Sequence, residues 1–238
     1  NSESDLASYK VYGGTSSSPT TLLSTVTSGT TYTHSSLTNG TTYYYRISAM
    51  DNASNESSKT IDVSAVPKPQ KYTVKTDGNG DYTVIQTAID ATSNGDTVLV
   101  YDGTYTENIT INNEDVVLMS VNGASATTLN GNSSGSCLII SGTSNATVDG
   151  FMISKGLTAS SAYHGGGIYM NGSGTINLKN LFVYLNSSNG RGGGIYAERE
   201  QTNSITIDAC KIYSNNSVYE GGGVFNGSGN TMIVKNTL

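Results

Sequence analysis

Three titratable side chains stand at equivalent positions of a repeat, each directly before a run of three glycines: His164, Arg191 and Glu220. If the repeats stack as coils, these side chains lie on neighbouring coils, about 5 Å apart. An imidazole, a guanidinium and a carboxylate at that spacing could supply an acid, a base and an anchor for substrate. Turn positions are polar in any case, and Arg191 is well placed to form a surface ion pair. We favour the ion pair and keep catalysis as the alternative.

An aromatic residue stands two positions after each glycine run, giving the column Tyr169, Tyr196 and Phe225. Flat rings along one flank of a solenoid can stack on sugar rings, and they can equally pack beneath loops; packing is slightly favoured. The loop 197–204 carries Glu198 and Arg199 and is the longest insertion among these coils, so it is a candidate contact site or a solvated loop. The candidate substrate-binding residues are therefore Tyr169, Tyr196, Glu198 and Arg199.

The repeat that positions these residues predicts a parallel β-helix. The glycine runs recur at residues 165, 192 and 221, and a second block of alternating apolar residues recurs in phase with them. A period of this size with strand-like alternation indicates stacked coils whose strands pair in parallel. The predicted inward columns are Val148, Leu178, Ile207, Val234; then Phe151, Leu181, Cys210, Thr237; then Ile153, Val183, Ile212. An outward column of alternating charge accompanies them: Asp149, Lys179, Asp208, Lys235.

The composition is that of a polar, weakly charged protein. The 238 residues carry a net charge of -6, only 13% of them are charged, and Trp is absent. Nucleic acids and anionic membranes need clustered cations, so neither is an expected partner, and no apolar stretch is long enough to span a membrane. Cys137 and Cys210 are interpreted as small buried residues, with a disulfide as the minor alternative. No signal peptide is visible, but the chain opens with Asn1, so a leader is expected to have been removed.

A different module precedes Val66-Pro67-Lys68-Pro69-Gln70, where two prolines break any strand. Residues 37–51 resemble the E-F corner and F strand of a fibronectin type III domain, with Tyr43 at the tyrosine-corner position six residues after Leu37. Residues 51–57 are similar to the F-G loop that follows. The first two strands of that family and their core Trp are missing. The resemblance implies a partial β-sandwich over residues 1–66 and a linker at 67–70, with the chain beginning inside the domain.

Residues 71–238 resemble right-handed β-helix proteins of the pectin-lyase superfamily. The segment Val84 to Ala91 has one apolar face and is predicted to cap the first coil. The family's usual opening is matched by Asp77-Gly78-Asn79-Gly80-Asp81-Tyr82, by Ile85-Gln86-Thr87-Ala88-Ile89 and by the segment from Gly103 to Asn108. Asn186 and Asn215, each six residues before a glycine run, are similar to the repeats of bacterial surface and autotransported β-helix proteins. The resemblance implies this fold, here truncated at its C-terminal end.

The enzymes of this superfamily supply a test of activity. Pectin methylesterases share the opening Gly103, Tyr105 and Glu107, but their chemistry uses later motifs that are not found before Leu238. Pectate lyases use a cluster of calcium-binding carboxylates with an Arg or Lys base, whereas Asp and Glu are dispersed here. The segment Asp77–Asp81 begins like a calcium loop, but Tyr82 stands where such a loop needs glycine and Ala88 where it needs Glu. A tight turn is favoured, no cofactor is expected, and calcium is the weak alternative.

These observations predict an all-β protein, a right-handed parallel β-helix preceded by a truncated fibronectin type III-like sandwich. We expect it to be secreted or on a bacterial cell surface and to act in recognition or adhesion, with a polysaccharide or cell-surface glycan as partner. One alternative is a polysaccharide lyase or glycoside hydrolase whose active site is incomplete in this chain. The other is a structural spacer.

Overall fold

The computed structural model describes residues 5–35, 37–159 and 165–238 of the chain. The chain forms two compact units, which divide between Pro69 and Gln70. This division falls inside the predicted linker, where two prolines interrupt the chain. Among the described residues, no helix is long and apolar enough to cross a membrane.

The described residues of the first unit form an antiparallel sheet, sheet A, with the strand order β2-β1-β3-β4. Its strands are β1 (Leu6–Gly14), β2 (Leu22–Val26), β3 (Tyr43–Asp51) and β4 (Val63–Ala65). The Tyr43 hydroxyl accepts a hydrogen bond from the backbone N–H of Thr38 at 3.1 Å, which is the backward bond expected of a tyrosine corner. A second sheet that would complete a sandwich is not among the described residues, so the sandwich itself stays a prediction.

A carboxylate joins the strands of sheet A. Glu56 accepts hydrogen bonds from the Lys10 ammonium at 2.8 Å, the Ser48 hydroxyl at 2.6 Å and the Tyr12 hydroxyl at 2.5 Å. These bonds favour the ionised form, and they lower the pKa of Glu56 to about 2, with the Lys10 bond as the largest cause. Glu56 therefore links β1 and β3 on one face of the sheet.

The second unit is a solenoid of parallel strands, as the repeat predicts. Its strands in chain order are β5 (Lys71–Val74), β6 (Asp96–Val100), β7 (Gly103–Thr106), β8 (Ile109–Asn112), β9 (Val116–Ser120), β10 (Thr127–Asn130), β11 (Leu138–Ser141), β12 (Ala146–Asp149), β13 (Met152–Ser154), β14 (Leu157–Thr158), β15 (Ile168–Met170), β16 (Thr175–Lys179), β17 (Phe182–Tyr184), β18 (Ser187–Ser188), β19 (Ile195–Ala197), β20 (Ser204–Asp208), β21 (Lys211–Tyr213), β22 (Asn216–Ser217), β23 (Val224–Asn226) and β24 (Thr231–Lys235). One helix, α1 (Ile85–Asp90), lies between β5 and β6.

The described strands of the solenoid pair into four parallel sheets. Sheet B has the order β24-β20-β16-β12-β9-β6-β5, sheet C β21-β17-β13-β10-β7, sheet D β23-β19-β15-β11-β8, and sheet E β14-β18-β22. In sheet B, Val148 pairs with Leu178, Leu178 with Ile207, and Ile207 with Val234. The predicted parallel pairing and the first inward column are therefore confirmed.

Burial follows the predicted columns except at the C-terminal edge of the solenoid, where Ile212 and Thr237 are only partly buried. Leu178, Ile207 and Cys210 are buried, as is Cys137, and both cysteines are free thiols. The expectation of a buried Val234 is wrong, because its side chain is 54% exposed. This residue has the inward register, but β24 is the edge strand of sheet B and no described strand covers it.

Two asparagines satisfy buried backbone groups between coils. The Asn186 amide donates to the carbonyl of Ile153 at 3.0 Å, and its oxygen accepts from the Gly156 N–H at 2.9 Å. On the next coil, the Asn215 amide makes the equivalent donation to the carbonyl of Val183 at 2.8 Å. The two side chains are also bonded to each other at 3.0 Å. This ladder explains why Asn recurs at a fixed distance from each glycine run.

The glycine runs allow successive coils to approach at backbone distance. A Cβ atom on Gly166 would lie 2.3 Å from the carbonyl oxygen of Ser187, and one on Gly193 would lie 2.0 Å from that of Asn216. Any side chain at these positions would separate the coils. The runs are therefore required by the stacking itself.

In the turn between sheets B and C, one residue has a left-handed backbone conformation on each coil from β12 onward. Gly150, Asn180, Ala209 and Asn236 occupy its equivalent position with φ between 50° and 77°. The asparagines add bonds to the outward charge column, from the Asn180 amide to Asp149 at 2.8 Å and from Asn236 to Asp208 at 3.0 Å. Ala209 has the same backbone conformation without a side chain suited to it.

The opening of the solenoid is built by the residues that resemble the family's usual start. Ile85, Ala88 and Ile89 of α1 are buried, as predicted for a cap. The Glu107 carboxylate accepts from the N–H groups of Ile85 and Gln86 at 3.0 and 3.1 Å, which satisfies two donors at the start of the helix. The Glu of the opening motif therefore fixes the cap to the first coil.

Tyr105 and Gly103 also contribute to this construction. The buried Tyr105 hydroxyl donates to the backbone carbonyls of Val74 at 3.1 Å and Tyr101 at 3.0 Å. Gly103 has a φ of 149°, and a Cβ there would lie 3.1 Å from the methyl group of Thr76. All three residues of the motif thus have structural partners in the first coils.

Candidate functional site

The outward side chains of sheet D form an aromatic column. Parallel pairing aligns Ile139 with Tyr169, Tyr169 with Tyr196, and Tyr196 with Phe225. The ring centroids of Tyr169 and Tyr196 are 5.8 Å apart, and those of Tyr196 and Phe225 are 5.1 Å apart at an interplanar angle of 14°. The predicted column therefore exists in register.

The two tyrosines of this column differ in exposure. Tyr196 lies between Tyr169 and Phe225 and is 1% exposed, so its ring offers no face to a ligand. This corrects its place among the candidate binding residues and agrees with the packing interpretation. Tyr169 is half-buried, because its neighbour on the other side is the smaller Ile139. Of the pair, only Tyr169 can present ring surface to solvent.

Glu198 holds both tyrosines through their hydroxyl groups. Tyr169 donates to Oε2 at 2.9 Å, Tyr196 donates to Oε1 at 3.0 Å, and the backbone N–H of Arg199 also donates to Oε1 at 2.9 Å. Burial first, and then the bond to Glu198, raises the pKa of Tyr196 to about 12 and also raises the pKa of Tyr169. The loop 197–204 thus fixes the orientation of the rings.

The other candidates gather at the far end of the column. Arg191 and Glu220 form an ion pair, which raises the pKa of the guanidinium and lowers that of the carboxyl. The guanidinium carbons of Arg191 and Arg199 lie 5.9 and 5.5 Å from the Phe225 ring centroid. His164 lies outside the described residues. The ion pair and these ring contacts account for Arg191 and Glu220 without a catalytic role.

A cavity of about 730 Å³ lies in the first unit, and one of about 550 Å³ lies on the solenoid beside Tyr169. The solenoid cavity, here called the Tyr169 groove, is lined by Ser133, Ser134, Gly135, Ser136, Ile139, Leu157, Thr158, Ala159, Tyr169 and Asn171. It begins where the outward column changes from tyrosine to isoleucine. Residues 133–136 close one side, where Gly135 and Leu157 exchange two backbone hydrogen bonds of 2.8 Å.

The serine side of this groove is not predictable from the sequence. Residues 133–136 lie outside the glycine repeat, and the pairing of Gly135 with Leu157 is an isolated antiparallel bridge in a parallel solenoid. Short serine-rich runs are common along this chain, so the residue types at 133–136 gave no signal. Once the strand register is known, the sequence shows that the column changes from Ile139 to Tyr169.

No described group of side chains is arranged to hold a metal ion: among residues 5–35, 37–159 and 165–238, no cluster of three or more His, Cys, Asp or Glu side chains occurs. In the calcium-loop-like segment, Asp77 accepts from the Asn79 N–H at 2.9 Å, and Asp81 accepts from the Thr73 N–H at 2.8 Å. Asp77 thus bonds within its own turn, whereas Asp81 bonds to Thr73 of strand β5. This agrees with the tight-turn interpretation.

Comparison with known proteins gives similarity of fold alone. No protein-family model and no curated protein sequence matches the chain. A crystal structure of pectin methylesterase in complex with a hexasaccharide is similar at 15% identity and a TM-score of 0.36, over 61% of this chain and 54% of that one. The family 28 exopolygalacturonase of Yersinia enterocolitica is similar at 12% identity and a TM-score of 0.23, over 98% of this chain and 64% of that one. The chain thus spans about half the length of the pectin methylesterase.

Proposed function

We propose that the outer face of sheet D binds a polysaccharide, with the Tyr169 groove as the contact site, on a secreted or surface-exposed protein. The observation that carries the proposal is a half-buried tyrosine ring beside a groove of about 550 Å³ whose mainly apolar surface is edged by serine hydroxyls. Sugar rings combine apolar faces with hydroxyl edges, and a groove of this composition complements both. Glu198 supports the proposal because it holds the ring in place before a ligand arrives.

The first unit is consistent with this role. We infer that it is part of a fibronectin type III-like module, supported by the bond from Thr38 to the Tyr43 hydroxyl and by the antiparallel order of sheet A. Such a module would join the solenoid to further parts of a surface protein. An extracellular location is likewise proposed, from the resemblance of the repeats and the low content of charged residues.

A glycan-binding assay on the intact chain tests the proposal. Tyr169→Ala should weaken binding about tenfold, because it removes the accessible ring. Tyr213→Ala is the matched control, since Tyr213 is an outward tyrosine of sheet C that is 48% exposed and stacks on Tyr184 at 5.3 Å. Equal loss of binding in both variants, or none in Tyr169→Ala, would contradict the proposed site.

The second candidate is an enzyme of the pectin-lyase superfamily. Gly103, Tyr105 and Glu107 match the opening motif of the pectin methylesterases in that superfamily. We expect this chain alone to show no lyase or esterase activity on pectin or polygalacturonate, with or without calcium. The two carboxylates described beside the aromatic column are already engaged, Glu198 by two tyrosines and Glu220 by Arg191. Release of unsaturated uronates by the parent chain, lost in Arg191→Ala, would favour the enzyme over the binding protein.

A further inference from the structure

We propose that the Tyr169 groove selects a neutral sugar residue and disfavours a uronate. This inference rests on the proposed function and adds the class of ligand to it. The ten described residues that line the groove include no Lys, Arg, His, Asp or Glu. Among these ten residues a uronate carboxylate would lose water without gaining a cation, which is unfavourable.

The charged group that is hydrogen-bonded to the Tyr169 hydroxyl is negative. The Tyr169 hydroxyl donates to the Glu198 carboxylate at 2.9 Å, so a second carboxylate stacked on this ring would face a like charge. The chain as a whole also carries a net charge of -6. The carboxylate bonded to the ring and the net charge of the chain therefore both disfavour an acidic polysaccharide.

The described cationic residues near the sheet D face are not among those that line the groove. Arg199 lies against Phe225, which is two coils from Tyr169 and so about 10 Å away along the solenoid. Arg191 is paired with Glu220. Lys155 meets this region through its backbone carbonyl, which accepts from the Ser133 N–H at 2.7 Å. None of the three is among the residues that line the groove.

The lining groups suit hydroxyl-rich ligands. Ser133 and Asn171 are exposed and can donate to or accept from sugar hydroxyls, while Ile139 and Leu157 offer apolar surface beside the ring. The Ser134 hydroxyl already donates to Asn108 Oδ1 at 2.9 Å, so it can serve a ligand as an acceptor. Such contacts involve no release of counterions. Binding should therefore change little between low and moderate salt.

The experiment measures the affinity of the intact chain for soluble neutral polysaccharides, such as galactan, arabinan and xylan, and for polygalacturonate. The assay is run at two salt concentrations. The pH is 8, where an ordinary histidine side chain is neutral and adds no positive charge. We expect at least one neutral polysaccharide to bind at least tenfold more tightly than polygalacturonate. Equal or tighter binding of polygalacturonate would overturn this inference and leave the proposed function standing, whereas binding of no polysaccharide would overturn both.

A charge-introducing variant sharpens the test. Ala159 lies exposed at the groove, and its side chain makes no hydrogen bond, so Ala159→Lys adds a cation at small structural cost. We expect this variant to gain salt-sensitive binding of polygalacturonate by about fivefold or more. Asn226→Lys is the control, since Asn226 is an exposed residue at the end of β23, away from the groove lining. The same gain in both variants would contradict a selective groove.

Discussion

The solenoid and sheet A solve the problem of joining β-strands in opposite ways. In the solenoid, each coil buries apolar columns such as Val148, Leu178 and Ile207 against the next, and inward polar groups such as the Asn186 amide are bonded between coils. In sheet A, Ile47 is 43% exposed, and the carboxylate of Glu56 joins the strands through polar bonds. Repetition lets a weakly charged sequence build a core, whereas the described part of sheet A depends more on specific side-chain bonds.

The largest expected effect comes from placing a charge in an inward column. Cys210 is buried, and burial raises the pKa of its thiol. Cys210→Asp should destabilise the solenoid by roughly 3 to 5 kcal/mol, because the carboxylate would be buried without a partner. Thermal or denaturant unfolding measures this.

Cys210→Ala is the control for the same position. It removes the sulfur without adding charge, so its loss of stability should be much smaller than that of Cys210→Asp. Similar midpoints for the parent and Cys210→Asp would show that this column does not carry the core.

A second effect should be confined to sheet A. Glu56→Gln replaces the carboxylate that accepts from Lys10, Tyr12 and Ser48, so amide hydrogen exchange in β1 and β3 should become faster at pH 7. Exchange in the solenoid strands should not change, and those strands serve as the internal control. Faster exchange throughout the chain would contradict a local role for Glu56.

The pH dependence of this effect has a definite sign. The folded pKa of Glu56, about 2, is below its ordinary value of 4.5, so its contribution is complete above pH 4.5 and decreases as the pH falls towards 2. The difference between parent and Glu56→Gln should therefore be smaller at pH 3 than at pH 7. A difference that grows on acidification would show that the carboxylate does not stabilise the sheet.

Sequence reasoning succeeded where a residue's environment is set by its own repeat. The columns of Leu178 and Ile207 follow from the period, because equivalent positions in stacked coils must be neighbours. The sequence alone could not separate Tyr169 from Tyr196, since both follow the same Gly-Gly-Gly-Ile motif. Their difference depends on the next member of the column, Ile139 for one and Phe225 for the other.

The anchoring role of Glu198 was beyond the sequence for a related reason. Its bonds to two tyrosines depend on how the loop 197–204 folds back over the column, which no local pattern specifies. The groove likewise depends on the contact between Gly135 and Leu157, which lies outside the repeat. Periodic contacts were predictable here, and contacts made by irregular segments were not.

The smallest expected effect concerns the left-handed turn between sheets B and C. Ala209 has a φ of 54°, a conformation that costs an alanine about 1 kcal/mol and that asparagine tolerates better. Ala209→Asn should therefore stabilise the solenoid by up to about 1 kcal/mol and raise its Tm by about 2–4 °C. The reciprocal variant, Asn180→Ala, should lower the Tm, because it adds the same strain and removes the 2.8 Å bond to Asp149. Calorimetry of the two variants with the parent tests this, and a lower Tm for Ala209→Asn would show that the turn position is limited by packing rather than by backbone conformation.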